Sequence, residues 1–513
     1  MKRFTHIIID ECHERSVDAD VLCLLCRRLL ASHTELRLVL MSATAHNDLL
    51  HAYFSETLGY DRVSEPLHVG GRRFPHETSY LEDVANLPTL PERLRKTAAR
   101  LAAKLAAMDP DEVQQSERSA PVSSQIIATQ LELAVWLARI EAMSQNSSEG
   151  GSGGAVLIFV PGIAAVEELF ESFQDSPNFQ LVPIHSTLDF DTQLAAFAPA
   201  PPGVTKVIAA TNAAESSLTL PDVDLVIDLG VEKAVFWNHQ HGSSELRQVW
   251  VSKASATQRA GRTGRVRPGR VRRLYPRALF EKLADHNACE MSRQPLEETV
   301  LQLRAMLPEG DSIRGLLNDA VEPPEQDNLS RALVSLANAG ILHGPSNTAD
   351  GGAPPNRRTV TLADVATLDT ARLTSTGRLA SILPLEHNLS RFVAIGACLD
   401  CLPEALVIAA GISLGRPVFR NVTPLVTADV DEYNETVRLV SEGRRLVDRG
   451  MYSDTLEMVS LVAMHQSRLR AKSSGRQRAA AATAAASAAG TASAADDLAE
   501  DANADDADDA TVA

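Results

Sequence analysis

The order of apolar and polar stretches along the chain predicts a strand, a helix and a second strand near the N-terminus. Apolar runs at 4–9 and 36–41 have the length of strands, and the stretch 21–30 between them has helical periodicity. This spacing is typical of a parallel crossover unit, in which functional residues gather after the carboxyl ends of the strands. Candidate chemistry is therefore expected directly after Ile9 and after Met41.

A second unit of the same kind begins at residue 155. It follows a Gly- and Ser-rich stretch, 144–154, whose composition is typical of a flexible linker. Buried strands are predicted where apolar runs occur at 155–160, 207–210 and 225–227. The sequence therefore predicts a second parallel α/β domain.

The C-terminal region has a different pattern, which predicts helices. From about residue 291, amphipathic stretches recur at 296–306, 329–339, 389–399 and 403–412. Beyond residue 472 the chain consists mainly of Ala, Ser and Asp, with too few large apolar side chains to offset the entropy cost of ordering. We expect a mainly helical region followed by a disordered tail.

Composition places the chain among globular intracellular proteins. A length of 513 residues predicts three or four domains, and 44% hydrophobic with 22% charged residues is ordinary for a globular protein. No apolar run approaches the ~18 residues of a membrane helix, and residues 1–5 lead straight into a strand rather than a signal peptide. We expect no membrane partner and an intracellular location, cytoplasmic or nuclear.

The six cysteines include two close pairs, Cys23 with Cys26 and Cys398 with Cys401. Half-sites for zinc have such spacings. Both pairs lie in apolar stretches with helical periodicity, however, so buried packing cysteines are expected rather than metal ligands.

Charge is distributed unevenly along the chain. The net charge of −17 includes eight acidic residues after Arg478, but the rest of the chain is still acidic. Any contact with nucleic acid must therefore be a local groove rather than a broad basic surface. The stretch 438–478 is basic, and two interpretations stay open for it: a nucleic-acid contact, or the solvated face of a terminal helix.

Two short segments carry candidate chemistry. Asp10 and Glu11 follow the first strand, where a nucleotide hydrolase places one carboxylate to hold Mg²⁺ and another to polarise the attacking water. An acidic pair of this kind can also be a helix cap or an exposed turn. Residues 258–265, QRAGRTGR, contain three arginines and two glycines. Arginines stabilise the charge that spreads over a transferring phosphoryl group, although a solvated basic patch is the alternative.

The longer strings around these segments resemble motifs of DEAH-box helicases. IIIDECHERSVDADVL followed by LVLMSAT resembles motifs II and III, and QRAGRTGR resembles motif VI. ATNAAESSLT at 210–219 is similar to motif V, while FVPG at 159–162 and His185-Ser186 are similar to motifs IV and IVa. The extended segments over 231–251 resemble the family's strand-separating hairpin.

The resemblance implies an α/β fold: a partial first RecA-like domain, a complete second RecA-like parallel-sheet domain, a mainly helical winged-helix and ratchet region, and a disordered tail. The implied divisions are the first RecA-like domain with motifs II and III (1–82), a linker or insert (83–154), the second RecA-like domain with motifs IV to VI (155–290), the winged-helix region (291–368), the helical ratchet domain (369–470) and the tail (471–513).

The resemblance also implies ATP and Mg²⁺ as cofactors and assigns roles to residues. Asp10 would bind Mg²⁺, Glu11 would act as the general base, Gln258 would help to place the water, and Arg262 and Arg265 would be the arginine fingers. Others would contact the nucleotide or couple it to the second motor domain: His13, Ser42, Thr44 and Ser217. The backbone of RNA, single-stranded or duplex, would be contacted by His185, Ser186, Thr211 and Asn212. RNA rather than DNA is implied by the family alone, and protein cofactors are a further expectation.

One element of a helicase motor is not found in the sequence. A phosphate-binding loop ends in Gly-Lys-Ser/Thr, and no Gly-Lys dipeptide occurs in the 513 residues. We therefore expect a fragment of an ATP-dependent RNA helicase that is inactive on its own. The alternative is a non-catalytic protein that binds nucleic acid or a partner and retains the helicase-like architecture.

Overall fold

The structure is a computed structural model that describes most of the chain. Its residues are 4–43, 47–69, 74–114, 121–146, 154–174, 176–186, 188, 193–201, 203–215, 220, 222–238, 243–344, 359–414, 418 and 430–488. They form two compact units, Met1–Asn338 with Leu342–Arg372, and Ala339–Ile341 with Leu373–Ala513. No described helix combines the length and the apolarity that a membrane crossing needs.

The crossover unit predicted at the N-terminus is present. Strand β1 (His6–Ile9) pairs in parallel with β2 (Arg37–Leu40), and the helix Val17–Ser32 connects them. The Ser16 side chain caps this helix by accepting a hydrogen bond from the Ala19 N–H at 3.2 Å. The buried face of the helix packs with β1 and the helix Asn47–Leu58 into an apolar cluster.

A second sheet of six parallel strands forms the centre of the first unit. Its spatial order is β3-β10-β7-β4-β6-β5. All five residues of the central strand β4 are 0% exposed, because parallel strands are covered on both faces. The strands in chain order after β2 are β3 (His76–Ser79), β4 (Ala155–Phe159), β5 (Phe179–Ile184), β6 (Thr205–Ala210), β7 (Val223–Asp228), β8 (Val231–Asn238), β9 (Ser243–Trp250) and β10 (Gly269–Arg273).

The hairpin predicted over 231–251 is present as well. Strands β8 and β9 pair antiparallel, with Val231 opposite Trp250 and Val235 opposite Leu246. The residues between the two strands, 239–242, lie outside the described part of the chain. Strand β8 begins at Val231, shortly after β7 ends at Asp228, so the hairpin starts at the carboxyl end of β7 in the second sheet.

The structure corrects the boundaries predicted for the first domain and the linker. Strand β3, placed within 1–82, pairs with β10 at the edge of the second sheet. The stretch expected to be a linker, 83–154, is largely helical and includes Glu92–Ala106 and Ser124–Asn146. Leu94, Ala98, Leu101 and Leu105 recur at helical spacing and are buried, so the alanine-rich composition hides a packed face.

The first unit also contains many helices. Those of four residues or more in its described part are Val17–Ser32, Asn47–Leu58, Leu81–Ala85, Glu92–Ala106, Pro110–Val113, Ser124–Asn146, Ile163–Phe173, Lys253–Ala260, Arg277–Lys282, Glu290–Arg293, Glu297–Met306, Ile313–Leu317, Gln326–Asn338 and Val365–Leu368.

The second unit is helical, as predicted. Its described helices are Ser375–Ala380, His387–Cys398, Leu402–Ser413, Val430–Asp448 and Asp454–Ala488. Disorder predicted for 471–513 is wrong as far as Ala488, because alanine has the highest helix propensity and extends the last helix. Residues 489–513 lie outside the described part of the chain. The prediction that both cysteine pairs are buried is wrong for Cys398 and Cys401, since Cys398 is exposed. Cys23 and Cys26 are buried as expected.

Candidate nucleotide and nucleic-acid site

Asp10 and Glu11 lie at the carboxyl end of β1, and both side chains are exposed. The Glu11 N–H donates to Asp10 Oδ1 at 2.8 Å, and Glu11 has a left-handed backbone with φ of 54°. A non-glycine residue in this region costs on the order of 1 kcal/mol, so the turn is held by its surroundings. The Cys12 N–H donates to Met41 O at 3.0 Å, which ties the turn to the end of β2.

His13 connects three of the segments singled out in the sequence. Its side chain is 9% exposed, and its Nδ1 accepts a hydrogen bond from the Ala43 N–H at 3.3 Å and lies 3.4 Å from Glu11 Oε2. Its Nε2 contacts the side-chain amide of Gln258. The Gln258 atom that faces His13 Nε2 is the amide nitrogen Nε2.

Arg262 lies close enough to Arg265, Glu215 and Glu11 for their charges to act on its guanidinium. The pKa of Arg262 is lowered, first by burial and then by the positive charge of Arg265, while the carboxylates of Glu215 and Glu11 act in the opposite direction. Arg262 therefore lies in the electrostatic field of Glu11. The tight turn between the two arginines includes Gly264, whose φ is 75° and whose added Cβ would lie 3.0 Å from Phe74 O.

Arg259 differs from its two neighbours, and the sequence did not distinguish it. Its side chain is 0% exposed and is surrounded by three carboxylates. Nη1 lies 2.9 Å from Asp228 Oδ1, Nε lies 3.2 Å from Glu215 Oε2, and Nη2 lies 3.5 Å from Glu232 Oε2. The guanidinium also stacks 5.0 Å from the centre of the Phe159 ring. These partners belong to the ends of β4 and β7, the turn after β6, and β8.

The residues expected to contact nucleic acid lie at one edge of the sheet. His185 and Ser186 follow β5, while Thr211 and Asn212 follow the neighbouring β6. The Thr211 N–H donates to Ile184 O at 3.2 Å, and its side chain is 5% exposed, so Asn212 is the member of that pair that reaches solvent. The pKa of His185 is lowered, first by burial and then by the Lys233 charge.

A cavity of 310 Å³ is lined by three of the candidate residues, His13, Asn212 and Gln258. Thr44 and Ser217 cannot be placed, because both lie outside the described residues. Among the residues that line the cavity are His13, Asn212, Glu215, Lys233, Gln258 and Arg293.

Comparison with known proteins finds similarity to helicases. A model of the helicase conserved C-terminal domain matches residues 138–267. The DExH-box ATP-dependent RNA helicase DExH1 of Arabidopsis thaliana is 29% identical over 434 residues, covering 80% of this chain and 40% of that protein. The ATP-dependent RNA helicase DHX29 of Mus musculus is 28% identical over 482 residues, covering 87% of this chain and 33% of that protein.

The fold is similar to that of a solved helicase structure. The crystal structure of the Escherichia coli DEAH/RHA helicase HrpB matches 85% of this chain and 46% of its own, with a TM-score of 0.55 and 23% identity. The chain contains a helicase C-terminal domain, and some of its curated relatives are named DEAH-box or DExH-box ATP-dependent helicases. It spans about a quarter to two fifths of the length of the curated relatives that it matches.

Asp10, in the segment that resembles motif II, offers a carboxylate for a metal ion. Among the described residues, no group of three or more His, Cys, Asp or Glu side chains is arranged to hold a metal. A closed protein cage is not what Mg²⁺ needs, since in nucleotide hydrolases it is bound by one or two carboxylates together with substrate phosphates and water. The exposed Asp10 carboxylate at the end of β1 fits that chemistry.

Proposed function

We propose that this chain is the part of an ATP-dependent RNA helicase that carries motif II, motif III and the second motor domain. The contact between His13 and Gln258 carries the proposal, because it joins the acidic turn after β1 to the arginine-rich segment of the second sheet. Such a junction can transmit the state of a bound nucleotide to the domain that holds RNA. Ser42 and Thr44 flank Ala43, whose N–H donates to the same histidine.

Phosphoryl transfer to water requires a positioned, activated water and stabilisation of the charge on the transferring group. The residues at this junction fit both requirements. Glu11 is exposed and would accept the proton of the attacking water, which Gln258 helps to place, and Asp10 would hold Mg²⁺. Bound Mg²⁺ would neutralise charge on the nucleotide phosphates. Arg262 and Arg265 would stabilise the charge that develops on the transferring group, and Ser217 would lie near the γ-phosphate. An arginine finger contributes roughly 10³–10⁵ in rate.

RNA would lie along the edge of the second sheet. His185, Ser186, Thr211 and Asn212 would contact its sugar-phosphate backbone, which positions a strand without selecting a sequence. The β8–β9 hairpin at the same edge would separate strands. We also propose an intracellular location, since both ATP and RNA are found there, and regulation by protein cofactors.

We further propose that this chain does not hydrolyse ATP by itself. The two-stranded sheet of β1 and β2 leaves apolar side chains exposed: Ile8 at 63%, Val39 at 42% and Met41 at 42%. Parallel sheets are normally covered on both faces, so these side chains favour further structure packed against motif II. The Gly-Lys pair of a phosphate-binding loop, absent from the 513 residues, would belong to that structure.

RNA-stimulated ATP hydrolysis by the 513-residue chain tests this directly. We expect RNA binding without turnover above the level of the Glu11→Gln variant. Appreciable turnover that Glu11→Gln abolishes would contradict the requirement for an additional loop while supporting the role of Glu11. The sequence of the gene upstream gives a second test, because an in-frame strand that ends in Gly-Lys-Thr is expected there.

The absence of a Gly-Lys pair also favours a second candidate, a non-catalytic protein that binds nucleic acid or a partner. The two proposals differ in the longest protein encoded by the gene. RNA-stimulated turnover in that protein, lost in Glu11→Gln and in Arg262→Ala, supports the motor. RNA binding that both substitutions leave intact, with no turnover, supports the non-catalytic protein.

A further inference from the structure

Lys233 lies in the cavity beside the residues expected to contact RNA. It is the third residue of β8 and is partly buried. Its side chain passes over Gly162, where an added Cβ would meet Lys233 Cε at 2.9 Å, Nζ at 3.0 Å and Cδ at 3.1 Å. The missing side chain at Gly162 therefore provides the space in which the ammonium sits.

The Lys233 ammonium differs from those of Lys206 and Lys253, which have carboxylate partners. Lys206 Nζ lies 2.8 Å from Asp222 Oδ2, and Lys253 Nζ lies 2.8 Å from Asp285 Oδ1. For Lys233, no ion pair or hydrogen bond with any described residue exists. A partly buried cation without a carboxylate is unfavourable, because burial removes water that would otherwise solvate it.

The groups around Lys233 do not neutralise it. The Lys233 charge helps to lower the pKa of the His185 imidazole. This neighbour carries no negative charge that could offset the charge of the lysine. Glu215 and Glu232 also line the cavity, but each directs Oε2 at the Arg259 guanidinium. Glu14 and Glu290 line the cavity too, and Glu290 Oε2 accepts a hydrogen bond from the Val17 N–H at 3.2 Å. None of these four carboxylates forms an ion pair with Lys233.

We propose that Lys233 binds a phosphate oxygen of a nucleic-acid strand and that Gly162 seats it for this contact. The inference rests on the proposed function, in which RNA runs along this edge of the sheet. The Lys233 charge acts on His185, and Lys233 lines the same cavity as Asn212. The same strand would touch both of these residues. An ammonium recognises phosphate as a point charge, so the contact positions the strand and does not distinguish RNA from DNA.

Binding of a labelled oligouridylate to the full 513-residue chain tests the lysine by fluorescence anisotropy across a salt series. Lys233→Met keeps the aliphatic stem over Gly162 and removes only the ammonium. We expect roughly a three- to tenfold weaker affinity and a salt slope smaller by about 0.7, the value for one phosphate contact on a single strand. An oligodeoxythymidylate should show the same losses. Lys104→Gln removes an exposed lysine from the helix Glu92–Ala106 and should change neither quantity.

Gly162→Ala gives an independent test of the space that Gly162 leaves for the Lys233 side chain. The backbone there is extended, with φ of 176°, so alanine is not strained, but its Cβ would push the flexible lysine away. We expect Gly162→Ala to weaken binding as Lys233→Met does, and the double variant to be no weaker than Lys233→Met alone. Additive losses would overturn the role of Gly162.

The outcomes distinguish a wrong assignment of Lys233 from a wrong proposal of RNA binding. If the wild-type chain binds the strand and Lys233→Met binds it with the same affinity and salt slope, the assignment of Lys233 is wrong and RNA binding stands. If the wild-type chain binds neither oligonucleotide, the proposal of RNA binding at this site is wrong, and so is the proposed phosphate contact of Lys233. Thermal unfolding of each variant, measured in parallel, shows whether a loss of affinity comes from a loss of folded protein.

Discussion

Replacing Arg259 by methionine should destabilise the first unit strongly. The guanidinium is 0% exposed and contacts three carboxylates whose own exposures are 1% for Asp228, 8% for Glu232 and 9% for Glu215. Methionine fills a similar volume but carries no charge. The substitution therefore leaves three buried carboxylates without their common cation.

The expected magnitude follows from this burial. Breaking a buried ion pair by removing one partner costs roughly 3–5 kcal/mol, because an uncompensated charge stays in the interior. Arg259 serves three carboxylates, so we expect a loss in the upper part of that range. Arg259→Lys should recover only part of the loss, since one ammonium cannot span three carboxylates that a planar guanidinium reaches through separate nitrogens.

Urea unfolding followed by tryptophan fluorescence measures the effect on the relevant unit. All three tryptophans, Trp136, Trp237 and Trp250, belong to the first unit, so the signal reports its unfolding. The matched control is Arg93→Met. Arg93 is 79% exposed and pairs with Glu132 at the surface, where an ion pair contributes little. No measurable shift of the midpoint is expected for this control.

A small effect of Arg259→Met would refute the reasoning. If its midpoint falls no further than that of Arg93→Met, the three carboxylates do not depend on Arg259 for their stability. A large loss with an unchanged slope against urea supports the ion-pair argument, because the surface exposed on unfolding is then the same in both proteins. A changed slope would indicate that the substitution alters how the unit unfolds.

Three further predictions follow from the shifted pKa values of two residues, His185 and Cys289. Burial and the Lys233 charge lower the pKa of His185 below its ordinary value of 6.5. As the pH falls, the unfolded chain therefore binds a proton at this residue before the folded chain does. The free energy of unfolding should then decrease as the pH drops below 6.5. A bound phosphate would raise that pKa, so nucleic-acid affinity should increase from about pH 7.5 to about pH 5.5, beyond any change seen in His185→Gln. Burial, and then Asp20, raise the pKa of the Cys289 thiol to about 12, so iodoacetamide should modify the exposed Cys398 first in the folded protein. Equal rates by peptide mapping would contradict the burial of Cys289.

The parallel strands could be predicted because each is an apolar run. The sequence of β4, AVLIF, is uninterrupted, and such a run is typical of a strand covered on both faces. The acidic pair and the motif V segment were placed correctly after strands, because the carboxyl ends of parallel strands meet at one edge. Strand β3 has the sequence HETS and pairs along one side only, so nothing in its composition distinguishes it from a loop.

The role of Arg259 could not be predicted for a different reason. It stands in the same eight-residue segment as Arg262 and Arg265, and the three side chains are chemically identical. Only the fold brings Asp228 and Glu232, which lie 31 and 27 residues away in the chain, to one of them. A search for carboxylates directly after predicted strands would have found Asp228, but not which arginine it contacts.

The buried arginine also connects the two proposed binding regions. Glu232 contacts Arg259, and the next residue on β8 is Lys233. Because a paired strand is stiff, the ion pair that fixes Glu232 also fixes the backbone from which Lys233 projects into the cavity. Arg262 and Arg265 follow Arg259 within the same segment, and the charge of Glu11 acts on Arg262. The cluster thus positions both the proposed arginine fingers and the proposed phosphate-binding lysine, so a change at Arg259 should weaken nucleic-acid binding even where the protein stays folded.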